Sequence, residues 1–228
     1  MSHALAVPLS GNRDIDALLW GTTYTARSFS YSFPSRPSYY YSSEAAFLDG
    51  SETYFVLDEP RHGYQEFNAR QIVAVERALA EVASVASLEF GQVIETDTTI
   101  ADFRFAESRA VATAHGTFPE NDSYSGDTWF NRSDYNRPAI GSFANMQFLH
   151  EIGHGLGLKH AHDPGTINGS TVNLAAEHDS VEFSVMTYRS YPGGPLGGYT
   201  VKPGSYPTTL MMLDIQALQH LYGANYDA

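Results

Sequence analysis

The stretch His150-Glu-Ile-Gly-His-Gly-Leu-Gly-Leu-Lys-His160 constrains this chain more than any other. His150 and His154 stand four residues apart, so on a helix both imidazoles leave the same face, one turn above the other. Such a pair suits a divalent metal. Zinc at a catalytic site takes three protein ligands of this type and keeps one position open for water. Glu151, beside the first histidine, then reaches the water rather than the metal. Zinc lowers the pKa of that water to about 7, and a carboxylate within hydrogen-bond reach can act as its general base.

Gly157 lies three residues past His154, where a helix must stop sharply, and glycine enters the left-handed conformation at no steric cost. The chain can then double back and present His160 as a third ligand. His162 is the nearest competitor, but the spacing from the glycine turn selects His160. A later glutamate such as Glu177 or Glu182 as third ligand leaves Gly157 and His160 without a purpose.

The full string H-E-x-x-H-x-x-G-x-x-H is that of the metzincins, which carry a Met-turn downstream. Ser184-Val-Met-Thr-Tyr188 supplies one, with Met186 placed 26 residues after His160. With Ser125-Gly-Asp-Thr-Trp-Phe-Asn131 and the ending Met212-Leu-Asp-Ile-Gln-Ala-Leu-Gln-His-Leu-Tyr-Gly-Ala-Asn225, the chain resembles the serralysin-type bacterial metalloproteases from about Asp14 to Asn225. The resemblance implies an α+β, two-lobed zinc protease domain with a twisted mixed sheet, a long support helix and a zinc-binding helix. It implies a zinc endopeptidase acting on extended polypeptides. Met186 would form the floor under the zinc, and Tyr188 would be an additional, movable ligand that helps stabilise the tetrahedral intermediate. Two departures stand out. Ala161 occupies a position where the family commonly has proline, and the sequence stops three residues after Asn225, where family members usually continue into a calcium-binding β-roll.

Elsewhere, the pattern assigns a short helical start to Asp14–Leu19 and a strand to Ser28–Phe33, where serines alternate with Phe29, Tyr31 and Phe33. Tyrosine-rich loop follows to about Gly63. Ile72, Val75, Leu79 and Val82 recur at helical spacing within Asn68–Ala86, with Asn68 as N-cap. Strands are expected at Leu88–Val93, at Ala101–Ala106 with Phe103 and Phe105 alternating against Asp102 and Arg104, and at Val111–Phe118. The last is the candidate edge strand, which puts Ala114 and His115 along an extended substrate. Asn121–Pro138 reads as a long loop whose Asp122, Asp127 and Asp134 are calcium candidates, solvated turns being the plainer reading. The zinc helix should start near Ser142 or Phe143. Irregular chain through Asp163-Pro-Gly and Ile167-Asn-Gly leads to the Met-turn, and Tyr191–Tyr206 is a loop able to shape a specificity pocket. A final helix runs to Gly223. The domain division expected is an N-terminal extension over 1–13 and a catalytic domain over 14–228, with an upper lobe to about 157 and a lower lobe beyond it.

Composition removes other classes. With 26 Asp plus Glu against 13 Lys plus Arg, the formal charge is -13, which argues against nucleic-acid binding. There is no cysteine, so disulfides, thiol catalysis and cysteine-liganded metals are excluded. No segment reaches the roughly 18 apolar residues of a membrane span. The start of the chain lacks a Sec-type signal, but serralysin relatives leave the cell by a type I route read from the C-terminus, so the resemblance implies secretion. The expected partners are polypeptide substrates and a proteinaceous inhibitor, around a monomer, with zinc as cofactor and calcium as a second candidate. The alternative is a metzincin-like domain that binds zinc but is latent, with the N-terminal residues and His3 in the cleft, or serves only in interaction.

Overall fold

The chain opens with a ribbon of β1 (Ala4–Ala6) against β2 (Thr22–Tyr24), separated by the one-turn helix α1 (Arg13–Asp16). There follow β3 (Ser28–Ser32), α2 (Glu44–Asp49), α3 (Ala69–Val85), β4 (Glu89–Gln92), β5 (Phe103–Glu107), β6 (Ala114–Gly116), β7 (Thr128–Phe130), α4 (Phe143–Gly155), β8 (Thr166–Ile167), β9 (Ser170–Thr171) and α5 (Met212–Tyr222). This computed structural model describes residues 3–55, 57–164, 166–167 and 170–226.

Five strands form one mixed sheet in the order β4-β3-β5-β7-β6, in which every neighbouring pair is parallel except β6 with β7. The architecture is therefore the expected α+β type, with helices α3 and α4 packed together on one face of the sheet. Asn68 and Gln71 close a reciprocal capping box at the start of α3, and Val75, Ala78, Leu79 and Val82 are buried beneath it.

The sheet differs from its sequence pattern in one respect. Alternation along β5 predicts a solvent face carrying Arg104, yet all five residues of the strand are buried. Phe103, Phe105 and Phe130 enter the main core with α3 and α4. On the opposite face Ala106 and Trp129 are covered by Tyr40, Tyr41 and Tyr54, so the tyrosine-rich loop acts as a second layer. Arg104 is only 3% exposed and lies 4.4 Å over the ring of Tyr40. Its Nε and a terminal nitrogen each donate to Asp127 at 2.6 Å, and the Tyr54 hydroxyl donates to the same carboxylate at 2.5 Å. Asp127 is thus a buried counterion, not a solvated turn residue or a free calcium ligand.

Two further stretches depart from expectation. Asn121–Pro138 is not loop throughout, because β7 lies inside it, at the centre of the site-bearing half of the sheet. Beyond His160, β8 and β9 pair as an antiparallel hairpin where irregular chain is expected; Gly165, Asn168 and Gly169 lie outside the described residues. The expected strand Val111–Phe118 shortens to β6. At the C-terminus, α5 packs on α1 and α3 and ends at Gly223 (φ +83), and Tyr222 donates its hydroxyl to the Leu156 carbonyl at 2.9 Å. No helix among the described residues is long and apolar enough to cross a membrane.

Candidate metal centre and active site

Helix α4 begins at Ser142, whose side chain caps the Asn145 amide, and it carries His150 and His154 on one buried face. It ends in two bonds, Gly157 N–H to the His154 carbonyl at 2.9 Å and Leu158 N–H to the Gly153 carbonyl at 2.9 Å, with Gly157 at φ +98. That is a Schellman stop. A Cβ on Gly157 would meet the Thr22 carbonyl at 2.6 Å, so both the conformation and the space require glycine. The turn sends His160 back over the helix.

The three imidazoles converge. Ring centroids lie 4.6 Å apart for His150 and His154, 4.6 Å for His154 and His160, and 5.1 Å for His150 and His160. Each Nδ1 is engaged from outside the cluster, by the Val185 carbonyl at 2.7 Å, the Leu158 carbonyl at 2.7 Å and Asp163 Oδ2 at 2.8 Å. Carbonyls and carboxylates only accept, so each neutral ring keeps its proton on Nδ1 and turns an Nε2 lone pair inward. His154 Nε2 and His160 Nε2 face each other at 3.0 Å with no proton to share, an arrangement that a cation between them satisfies. Burial lowers the pKa of all three, that of His150 to about 3, so they are neutral and ready to ligate. The donor set, its convergence and its outer hydrogen bonds fit zinc.

The Met-turn lies directly under this cluster. Met186 is fully buried, and a Cβ on Gly153 would sit 2.8 Å from its sulfur, so the glycine in the zinc string lets the methionine approach the helix. Asp214, in the first turn of α5 and fully buried, accepts from Ser184 Oγ at 2.6 Å and from the amides of Val185 and Met211 at 2.9 Å each. It thereby fixes the carbonyl that orients His150. The Tyr188 hydroxyl is 3.0 Å from His160 Nε2, and burial raises its pKa to about 12. At the unusual position after the third histidine, the Ala161 amide donates to the Met186 carbonyl at 3.2 Å, a bond that proline cannot make.

Glu151 leaves the helix on the side of the sheet edge. It is 3% exposed, burial pushes its pKa up to about 8, and the backbone N–H of Gly116 opposes that rise. Gly116 has no room for a side chain: a Cβ there would lie 2.4 Å from the Glu151 carbonyl. Strand β6 is the outer strand; the Thr113 carbonyl accepts from the Asn131 amide and the Thr117 amide donates to the Asp127 carbonyl, at either end of β7. By alternation the backbone groups of Ala114 and Gly116 face the open edge. His115 projects to the other side, where its Nε2 lies 3.0 Å from Glu59 Oε1. The sequence reading did not single out Gly116, Asp163, Asp214 or Glu59; a glycine inside a strand, the usual mark of close approach, was the signal available for the first.

His162 stacks on His160 with ring centroids 5.5 Å apart and also approaches Asp163, so it belongs to the outer layer of the cluster. His3 bonds to Asn121 Oδ1 at 2.6 Å next to β1, which removes it from the cleft that the latency reading gives it. Asp122 accepts from Tyr124, and Asp134 from Asn131. Tyr199 and Tyr206 of the 191–206 loop pack on Phe143, and Tyr199 donates to the Thr187 carbonyl at 2.6 Å, so this loop braces the Met-turn.

A family model described as Peptidase_M10, Matrixin, matches residues 49–185. Relatives include Serralysin A of Dickeya chrysanthemi, 34% identical over 176 residues that make up 72% of this chain and 35% of that protein. Serralysin G of the same organism is 32% identical over 175 residues, with the same coverage. Metalloprotease AprA of Pseudomonas entomophila (strain L48) is 31% identical over 208 residues, 87% of this chain and 40% of that protein. The chain belongs to the matrixin family and forms a serralysin-type metzincin catalytic domain. It spans about a third of the length of the curated relatives it matches.

Proposed function

We propose that the chain is a zinc-dependent endopeptidase that hydrolyses internal peptide bonds of extended polypeptides. The observation that carries this reading is the convergence of three Nε2 lone pairs beside a buried carboxylate, Glu151, that is not one of the ligands and is bonded by the Gly116 amide of the outer strand. His150, His154 and His160 would hold the metal. Bound there, zinc supplies a Lewis acid that polarises the substrate carbonyl and acidifies a coordinated water.

The chain's own residues do the rest. The edge groups of Ala114 and the Gly116 carbonyl take the substrate main chain as an added strand, the Gly116 N–H being held by Glu151. Glu151 accepts the proton of the attacking water and returns it to the leaving amine. The Tyr188 hydroxyl, within reach of the triad, donates to the developing oxyanion. The serralysin resemblance implies work outside the cell, and a proteinaceous inhibitor would enter by the same edge.

Digestion of an unfolded protein by the zinc-loaded chain, read by mass spectrometry, tests the reading. Internal fragments with new termini at several sites are expected. Single-residue ladders from one end would instead mean an exopeptidase, and an intact substrate would remove the enzyme reading.

A further inference from the structure

On the loop face of β6, a cavity of about 460 Å³ opens beside the strand. Phe55, Leu57, His115, Phe118 and Tyr124 line it. It is joined to the metal cluster by direct contact: the Phe118 ring lies 5.1 Å from that of His154 and is fixed from behind by a stack on Trp20 at 3.8 Å.

Three observations make this a built site. Glu59 is fully buried, no described residue donates a hydrogen bond to its carboxylate, and its Oε1 lies 3.0 Å from His115 Nε2. A buried carboxylate without a hydrogen-bond donor thus lies against the imidazole that lines the cavity. Phe55 is held at φ +42, a backbone region that a phenylalanine seldom adopts, with its ring 4.6 Å from Tyr124. Leu57 is 44% exposed, a large aliphatic side chain left open at the mouth.

We infer that this cavity is a specificity pocket of the protein and that it selects a bulky apolar residue, aromatic or long aliphatic, within about two residues of the cleaved bond. The inference rests on the endopeptidase reading and deepens it. A peptide paired with the open edge of β6 sends alternate side chains to opposite faces of the sheet. Those turned to the loop face have this cavity before them, and β6 ends beside Glu151, which sets the short distance from the reacting bond. The walls are apolar, and Glu120 at the rim repels an acidic side chain. Selectivity at this pocket is therefore assigned to Phe55, Leu57, His115 and Phe118.

Binding can be measured without cleavage. The zinc-loaded Glu151→Ala protein is titrated by fluorescence anisotropy with a series of labelled decapeptides that vary one position at a time between Phe, Leu, Gly, Asp and Lys. At one position Phe and Leu peptides should bind at least about tenfold more tightly than Gly or Asp peptides, the usual scale for filling an apolar pocket. Adding Leu57→Asp should shrink that ratio to under about threefold. Equal binding of all peptides, or a ratio untouched by Leu57→Asp, overturns the inference by giving the cavity to another occupant. Cleavage by the parent chain is scored separately, so a protein that binds selectively without cutting would disprove the endopeptidase reading and leave the pocket assigned.

Discussion

Glu151→Gln lowers peptide-bond hydrolysis by about 10³-fold and leaves the metal in place, within the range lost when a general base is removed. The substitution keeps the shape of the side chain and its approach to the Gly116 amide but cannot accept a proton. The convergent group contains His150, His154 and His160 and not Glu151, so metal affinity should be unchanged. The variant and the parent are compared by kcat/KM on a quenched peptide and by zinc content after dialysis. A Gln variant within tenfold of the parent at equal zinc content would take the base role away from Glu151.

The largest loss of stability is expected on the far face of the sheet. Asp127→Ala leaves Arg104 charged, 3% exposed and without its carboxylate, and breaking a buried pair from one side costs about 3–5 kcal/mol. Arg104 keeps the Tyr39 and Ser123 carbonyls at 3.0 Å and the face of the Tyr40 ring, none of which replaces a bonded carboxylate, and Glu95 acts on it only through its field. Replacing both residues together, Arg104→Met with Asp127→Leu, removes the stranded charge and should recover most of that loss. Urea unfolding at neutral pH reads both. A single variant within 1 kcal/mol of the parent would show that water or a loop shift satisfies Arg104.

Much of the site was legible because its residues are consecutive. The helix, its stop at Gly157 and the third histidine follow from one string, and the stop is a matter of backbone conformation that only glycine meets cheaply. Residues that hold the ligands from outside were not legible. Asp214 lies 54 positions beyond His160 and acts through the Met-turn backbone, and nothing in a first-turn aspartate of a C-terminal helix tells its buried role from an ordinary cap. Strand β7 escaped notice because three residues, Thr128-Trp-Phe130, are too few for an alternation to register between Asn- and Ser-rich turns. Arg104 misled for a related reason. Its charge reads as a solvent face, and only the meeting of β5 with a residue 23 positions later shows that the face is internal. Gly116 is legible in retrospect as a strand glycine with no room for a Cβ.

The most direct test of the central claim is titration of zinc into the metal-free chain, following hydrolysis of an unfolded protein substrate. Activity should rise linearly, reach its plateau at one zinc per chain, vanish with a chelator and return when zinc is restored. One tightly bound zinc per chain with no hydrolysis at the plateau would contradict the account, leaving a metal-binding domain whose assembled site does no chemistry.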